Sequence, residues 1–248
     1  MASTSETGHQ KNVANFDELI SFATGYREAY NPSKASIKID ALKTLSAQAK
    51  AAINAVSAAE PAYKSAVAAR EVAFEPLSKL TTRVMNSIKA TDTTEQVDEN
   101  ARTLARKIQG VRATAKKTED EKKALAEKGK EVVEISTSQM SYDSRLDNFF
   151  KLIQLLSSVP EYNPNEKELK IEHLNTILDD LKAKNAAVVE SSIPVSNARI
   201  SRNEILYKEN TGLCDIVMDV KTYIKSVFGA TSPQYKQISK LEFKKVKV

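Results

Sequence analysis

The feature that most constrains this chain of 248 residues is an internal repeat spanning about half its length. Tyr30-Asn31-Pro32 recurs 132 positions later as Tyr162-Asn163-Pro164. Four more residues keep that offset, since Lys38, Ile39, Leu42 and Thr44 recur as Lys170, Ile171, Leu174 and Thr176. Downstream, with one residue inserted, Pro61 aligns with Pro194. Because a repeat of this length marks a duplicated structural unit, the chain is predicted to contain two tandem homologous units.

Both repeats have the composition of long helices. The chain has only 6 Gly and 7 Pro, and it lacks the alternating β-branched runs that are typical of strands. Between Ala47 and Ala69, 11 of 23 residues are alanine, the strongest helix former. Apolar residues recur there every seven positions, which indicates a coiled-coil or bundle seam. The predicted fold is all-α, an elongated bundle of long kinked helices.

Prolines and capping residues predict where these helices begin and end. Because the apolar columns keep their phase across Pro61, one kinked helix is predicted from about residue 34 to 90, with two helices broken at Pro61 as the alternative. Asn210-Thr211-Gly212 predicts a break in the second repeat. Asp92 to Glu95 resembles an N-cap region, so a helix is predicted from about residue 94 past Gly110. The repeat alignment pairs Met85 with Met218 and predicts that both are core residues.

These patterns divide the chain into five segments. Residues 1–12 are predicted to be a disordered N-terminal arm, 13–103 the first helical repeat, and 104–145 a charged helical connector. Residues 146–241 are predicted to be the second helical repeat and 242–248 a basic tail. A single repeat would expose the apolar seam of its long helix. The two repeats are therefore expected to pack against each other as one domain.

The net charge of +5 is concentrated at the C-terminus. This segment contains five lysines and one acidic residue, Glu242. The five lysines are the candidate contacts for an anionic partner: Lys236, Lys240, Lys244, Lys245 and Lys247. Duplex binding needs basic residues spread over a face of the protein, so nucleic acid is an unlikely partner. Binding of an anionic polymer through this lysine tail is kept as an alternative function.

The most apolar segment runs from Leu146 to Val159 and is too short to span a bilayer. It is predicted to be a buried or interfacial helix. The candidate residues for contact with a membrane or a partner are Leu146, Phe149, Phe150, Leu152 and Ile153. A second alternative is therefore a membrane-active protein that resembles α-helical pore-forming toxins.

Residue types needed for most catalytic and metal sites are scarce. One Cys and two His exclude a His/Cys-rich metal site, and no glycine-rich loop is present to bind phosphates. His173 is interpreted as a helix-surface or packing residue, Cys214 as a buried hydrophobe, and Asp179-Asp180 as a solvated face. We expect no catalytic residue, cofactor, metal or small-molecule substrate, so the protein is not expected to be an enzyme.

Two stretches of the second repeat resemble an uncharacterised helical family of Bacteroidota-type bacteria. They are Val195 to Asn203 (VSNARISRN) and Tyr223 to Phe243 (YIKSVFGATSPQYKQISKLEF). The resemblance implies a bacterial source and an internally duplicated all-helical fold. It implies no activity, partner or site residue.

The simplest function that these patterns indicate is that of a non-enzymatic structural or interaction protein. It is expected to self-assemble or to scaffold a protein partner along its helices. The N-terminus lacks the charged and apolar regions of a secretory signal. A soluble, cytoplasmic protein is therefore expected, with export by a route that needs no such signal left open.

Overall fold

The structure is a computed structural model that describes residues 7–111 and 140–245. Within these ranges the chain forms helices, turns and loops and contains no strand, so the predicted all-α fold is confirmed for them. The helices are α1 (Thr7–Gly25), α2 (Ile39–Phe74), α3 (Leu77–Lys89), α4 (Glu95–Gln109), α5 (Tyr142–Ser157), α6 (Ile171–Tyr207), α7 (Leu213–Phe228) and α8 (Pro233–Ser239).

The two long helices, α2 and α6, each continue through an internal proline. Pro61 lies inside the 36 residues of α2, and Pro194 lies inside the 37 residues of α6. The predicted single helix over residues 34–90 is nevertheless wrong at both ends. A 3₁₀ turn (Ala35–Ile37) precedes α2, and α2 ends at Phe74. It stops before Pro76 because a proline disfavours helical geometry in the residue that precedes it.

Local capping chemistry explains where α4 begins and ends. Thr94 is its N-cap, as the sequence predicts, and its backbone is extended there. The helix does not continue past Gly110, and that part of the prediction is wrong. Gly110 adopts a left-handed conformation with φ of 69° and donates its backbone N–H to Arg106 O. Glycine takes up this conformation without the steric cost that a Cβ would add, so it ends the helix.

The predicted disordered arm over residues 1–12 is wrong for the residues that the structure describes. Helix α1 already begins at Thr7, and His9 and Asn12 on it are buried. Residues 1–6 lie outside the described ranges. For residues 7–12 the polar composition is therefore no sign of disorder, because His9 and Asn12 form hydrogen bonds inside the protein.

The predicted break at Asn210-Thr211-Gly212 is confirmed, since α6 ends at Tyr207 and α7 begins at Leu213. Asn210 has a positive φ of 65°, and its N–H donates to Asp215 Oδ2 at 3.0 Å. This connection is three residues longer than the one between α2 and α3. The extra residues shift the alignment by three positions, so that the buried Leu77, Val84 and Ile88 of α3 correspond to the buried Leu213, Val220 and Ile224 of α7. Met218 is 61% exposed whereas Met85 is buried, so Met218 is not the core residue that the repeat alignment predicts.

The chain divides into two compact units whose boundaries differ from those of the sequence repeats. The terminal unit comprises residues 1–64 and 191–248, and the central unit comprises residues 65–190. Both boundaries fall inside the long helices α2 and α6. Each unit therefore combines the first part of one repeat with the last part of the other.

The core of the terminal unit joins α1, the start of α2, the end of α6, α7 and α8. Its fully buried side chains include Phe16, Leu19, Leu42, Leu206, Leu213, Val217, Val220, Ile224 and Ile238. Two ring contacts connect the first Tyr-Asn-Pro turn and its neighbours to α7. Tyr30 packs edge-on against Tyr223, with ring centroids 5.3 Å apart, and Tyr26 packs against Phe228 at 5.1 Å.

The core of the central unit joins the end of α2, α3, α4, α5 and the start of α6. Its fully buried side chains include Leu77, Val84, Ile88, Ala101, Ile108, Phe149, Leu152, Ile153, Leu156 and Leu174. Arg145 of α5 donates to Ile108 O at 3.2 Å and to Phe74 O at 3.3 Å, which ties α5 to the ends of α4 and α2. The middle of the predicted connector, residues 112–139, lies outside the described ranges.

Candidate functional site

Both tyrosines of the repeated Tyr-Asn-Pro turns are buried structural residues. Tyr30 donates its hydroxyl to Ile37 O at 2.7 Å, and Tyr162 donates to Leu169 O at 2.9 Å. Each bond spans seven residues and holds the turn against the 3₁₀ turn that precedes a long helix. Burial raises the pKa of both hydroxyls, that of Tyr162 to about 12. These tyrosines therefore stay protonated and act as donors within the fold.

A buried polar cluster lies in the terminal unit and consists of His9, Asn12, Tyr207 and Cys214. His9 Nδ1 lies 2.6 Å from the Tyr207 hydroxyl. Asn12 Nδ2 donates to the same hydroxyl at 3.3 Å and lies 3.8 Å from Cys214 Sγ. His9 and Asn12 were not predicted as buried residues because their segment is polar. One signal for them was present, since residues 9, 12 and 16 share one face of a helix, and Phe16 is a core residue.

The chemistry of this cluster is that of a packed core. His, Asn and Cys side chains also occur together in cysteine proteases, where a thiolate is the nucleophile. Here burial raises the pKa of the Cys214 thiol to about 11. The thiol therefore stays protonated at neutral pH, and a protonated, buried thiol is a poor nucleophile. The cluster is best described as a polar network that fixes the packing of α1 against α6 and α7.

The same cluster holds the C-terminal segment, residues 241–245, against the terminal unit. The Asn12 side chain donates to Lys244 O at 2.9 Å and accepts from Lys244 N at 3.1 Å, as a neighbouring strand would. Asn15 Nδ2 donates to Glu242 O at 2.7 Å, and Lys221 Nζ donates to Leu241 O at 2.6 Å. The predicted basic tail is therefore docked over residues 242–245.

This docking changes the interpretation of the C-terminal lysines. Lys245 Nζ forms an ion pair with Asp215 Oδ1 at 2.6 Å, so its charge is partly compensated. Lys236, Lys240 and Lys244 are exposed, and Lys247 lies outside the described residues. Lys236 lies on α8, Lys240 directly follows that helix, and Lys244 lies in the docked segment.

We expect Asn12→Ala to release the C-terminal segment. The substitution removes three hydrogen bonds from a buried position, and it should lower the free energy of unfolding by about 1–3 kcal/mol. Limited proteolysis followed by mass spectrometry should show faster cleavage within residues 241–245. Asn15→Ala is the matched control because its single bond to the segment is exposed. Equal cleavage of the two variants would contradict the role assigned to Asn12.

The five candidates for membrane or partner contact on α5 do not form a common surface. Leu146, Phe149, Leu152 and Ile153 are buried in the core of the central unit. Phe150 is 43% exposed, and Lys182 Nζ lies 5.6 Å from the centre of its ring. The apolar side of α5 is thus covered by the protein itself. The sequence could identify that side as apolar, but it could not show what covers it.

The remaining polar candidates lie on helix surfaces. His173 is exposed on α6, and Asp179 and Asp180 are exposed beside Lys182 and Lys184, with which they form ion pairs. Within residues 7–111 and 140–245, no three His, Cys, Asp or Glu side chains lie close enough together to hold a metal ion. Glu119-Asp120-Glu121, the other acidic run of the sequence, falls outside those ranges.

An exposed apolar face occurs on α6 within the terminal unit. Ile193 is 53% exposed and Ile200 is 57% exposed, and a seven-residue spacing places them on the same side of the helix. Ser196 and Asn197 lie between them and are also exposed. We call these four residues the isoleucine face. On the opposite side of α6, Val195, Arg202 and Leu206 are buried.

No protein-family model, curated protein or solved structure matches this chain. Among the helices that the structure describes, none is long and apolar enough to cross a membrane.

Proposed function

We propose that this protein is a non-enzymatic structural or interaction protein that assembles through its long helices. The observation that carries the proposal is the isoleucine face of α6. Two large β-branched side chains, each more than half exposed, lie on the solvent side of a helix whose other side is already packed. Burying such side chains against another protein is favourable, and their alignment along one helix suits a helix–helix contact.

The surroundings of the isoleucine face support the same proposal. From Ile193 to Ser201, the exposed residues are apolar or uncharged: Ile193, Pro194, Ser196, Asn197, Ile200 and Ser201. Over the whole chain 28% of residues are charged. Depletion of charge at the centre of a surface patch is typical of protein–protein interfaces. The one charged residue near the middle of this stretch, Arg199, is half-exposed and forms an ion pair with Glu60 at 3.0 Å.

The tandem duplication belongs to this proposal as its structural basis. The two Tyr-Asn-Pro turns have the same seven-residue hydrogen bond, and each is followed by a 3₁₀ turn and a long helix with an internal proline. We infer that the two halves of the chain arose by tandem duplication of one helical unit. Coiled-coil assembly and the elongated form of the bundle remain predictions. Small-angle scattering would test both.

The two alternative functions have less support. A membrane-active role would have to expose the apolar side of α5, which requires opening the core of the central unit. Binding of an anionic polymer would rely on the exposed Lys236, Lys240 and Lys244, because Lys245 is ion-paired. The first alternative requires a core to open and the second relies on only three exposed lysines, whereas assembly uses a face that is already exposed.

Sedimentation velocity over a protein concentration series tests the proposed function. We expect the average sedimentation coefficient to rise with concentration as the chain assembles. Vesicle leakage and a salt-sensitive shift of DNA are measured on the same preparation. A chain that stays monomeric at every concentration but permeabilises vesicles would overturn the proposal in favour of membrane activity. Salt-sensitive binding of DNA by such a monomer would favour the anionic-polymer alternative.

A further inference from the structure

The C-terminal segment, residues 241–245, lies between α1 and α7, because side chains of both helices bond to its backbone. These bonds are those of Asn12 with N and O of Lys244, of Asn15 with O of Glu242, and of Lys221 with O of Leu241. Hydrogen bonds to the backbone hold an extended peptide whatever its side chains are. We call the space that the segment fills the α1–α7 groove.

The side chains of the segment alternate between the protein and the solvent. Leu241 and Phe243 pack against the core of the terminal unit, and the residue that follows each of them is exposed. Lys245 Nζ then forms an ion pair with Asp215 Oδ1 of α7 at 2.6 Å. This period of two is that of an extended strand. The α1–α7 groove therefore fits an extended peptide that has two apolar residues at alternate positions followed by a basic residue.

The groove can lose this segment without the core of the terminal unit opening. Ile238 of α8 is fully buried, whereas each of the residues 241–245 is exposed or only partly buried. Release of the segment therefore uncovers little apolar surface, and such a segment opens locally at a small part of the cost of global unfolding. Asn12 keeps a second bond when the segment leaves, because its side chain also donates to the Tyr207 hydroxyl at 3.3 Å. The emptied groove thus keeps its main backbone-binding side chain in place.

We propose that the α1–α7 groove binds the C-terminal segment of a second copy of this chain in exchange for its own. A second copy is the occupant that the structure supports, because it carries the sequence that already fits the groove. Each chain offers one groove and one segment, so reciprocal exchange closes a two-fold dimer. The exchange adds a contact to the proposed assembly and does not depend on the isoleucine face.

In the wild-type chain the tethered segment competes with the segment of a second copy. A short tether gives a chain's own segment an effective concentration of about millimolar order. Because the segment is docked, the dissociation constant of the groove for a free segment lies below that value. We therefore expect exchange between wild-type chains only at high protein concentration, and stronger exchange where the tethered contact is weakened.

Mixing two full-length variants tests the exchange. Asn12→Ala removes both bonds to Lys244 and leaves the segment unchanged. Phe243→Asp places a charge against the apolar core and leaves the groove unchanged. Only the mixture offers an intact segment to an intact groove whose own segment is weakened. In sedimentation velocity we expect a heterodimer whose dissociation constant is at least about tenfold lower than that for self-association of either variant.

A peptide measurement keeps the test decisive if Asn12→Ala does not fold. A labelled peptide of residues 239–245 (SKLEFKK) is titrated into the Phe243→Asp chain and followed by fluorescence anisotropy. We expect saturable binding that is at least about tenfold tighter than binding to the wild-type chain, whose groove is occupied. The same peptide with aspartate in place of phenylalanine is the control and should not bind. Circular dichroism checks that the variants keep their helical content.

The outcomes separate this inference from the proposed function. A mixture of folded variants that sediments like its separate components, or a folded Phe243→Asp chain that does not bind the peptide, would overturn the exchange. The mixture is repeated with Ile200→Glu in both variants. A heterodimer that persists there supports the exchange, whereas its loss would assign the association to the isoleucine face and overturn the exchange. The wild-type concentration series judges assembly through the isoleucine face separately.

Discussion

Replacing Phe149 by alanine is expected to lower the free energy of unfolding by about 3–5 kcal/mol. The Phe149 ring is fully buried in the core of the central unit, so its removal leaves a cavity as well as losing apolar contact. The adjacent Phe150 is 43% exposed, and Phe150→Ala should change the free energy by no more than about 0.5 kcal/mol. Urea unfolding followed by circular dichroism measures both.

Comparison of Phe149→Ala with Phe150→Ala also tests the role of α5. If α5 instead formed a surface for a membrane or a partner, both substitutions would reduce binding and neither would greatly reduce stability. Similar small losses of stability in the two variants would therefore contradict the buried position of Phe149. The neighbouring residue is a suitable control because it has the same side chain on the same helix.

Gly212→Ala is expected to lower the free energy of unfolding by about 1–3 kcal/mol. A Cβ atom at Gly212 would lie 2.6 Å from Lys208 N and 2.7 Å from Lys208 O. These are backbone atoms, and the Gly212 N–H donates to Lys208 O at 2.8 Å, so relief of the clash disturbs the turn between α6 and α7. Thermal unfolding of the variant measures the effect.

Gly8→Ala is the control for this substitution. Gly8 lies in α1, and a Cβ atom added there would have no neighbouring atom within 4 Å, so alanine fits without a clash. Because alanine has the higher helix propensity and Gly8 lies in the first turn of α1, this variant should lose no stability. A destabilisation equal to that of Gly212→Ala would show that the close approach at Gly212 is not the cause.

Several of the residues at which helices begin and end were predictable, because the capping and turn preferences of a residue act locally. Thr94 precedes α4, and Asn210 and Gly212 interrupt the second repeat, since capping and turn preferences depend on a few neighbouring residues. Prolines were harder to interpret. Apolar periodicity predicted a helix that continues through both Pro61 and Pro76, and this is right for the first, but α2 ends before the second.

The polar contacts of the terminal unit were not predictable from sequence because they join distant parts of the chain. Asn12 and Lys244 are 232 residues apart, and His9 and Tyr207 are 198 residues apart. A polar N-terminal segment and a lysine-rich C-terminal segment each have the composition of solvated chain. The N-terminal segment bonds to the C-terminal segment and to Tyr207 of α6, whereas the C-terminal segment bonds to residues of α1 and α7.

The sequence by itself determined the all-α fold and several of the turns that separate the helices, since these follow from local preference and periodicity. Only the tertiary structure decided which apolar sides are covered. It buried Phe149 and left Ile193 and Ile200 exposed, although all three are large apolar side chains on helices. The physical reason is that burial depends on which elements pack together, and each compact unit here is assembled from parts of both repeats.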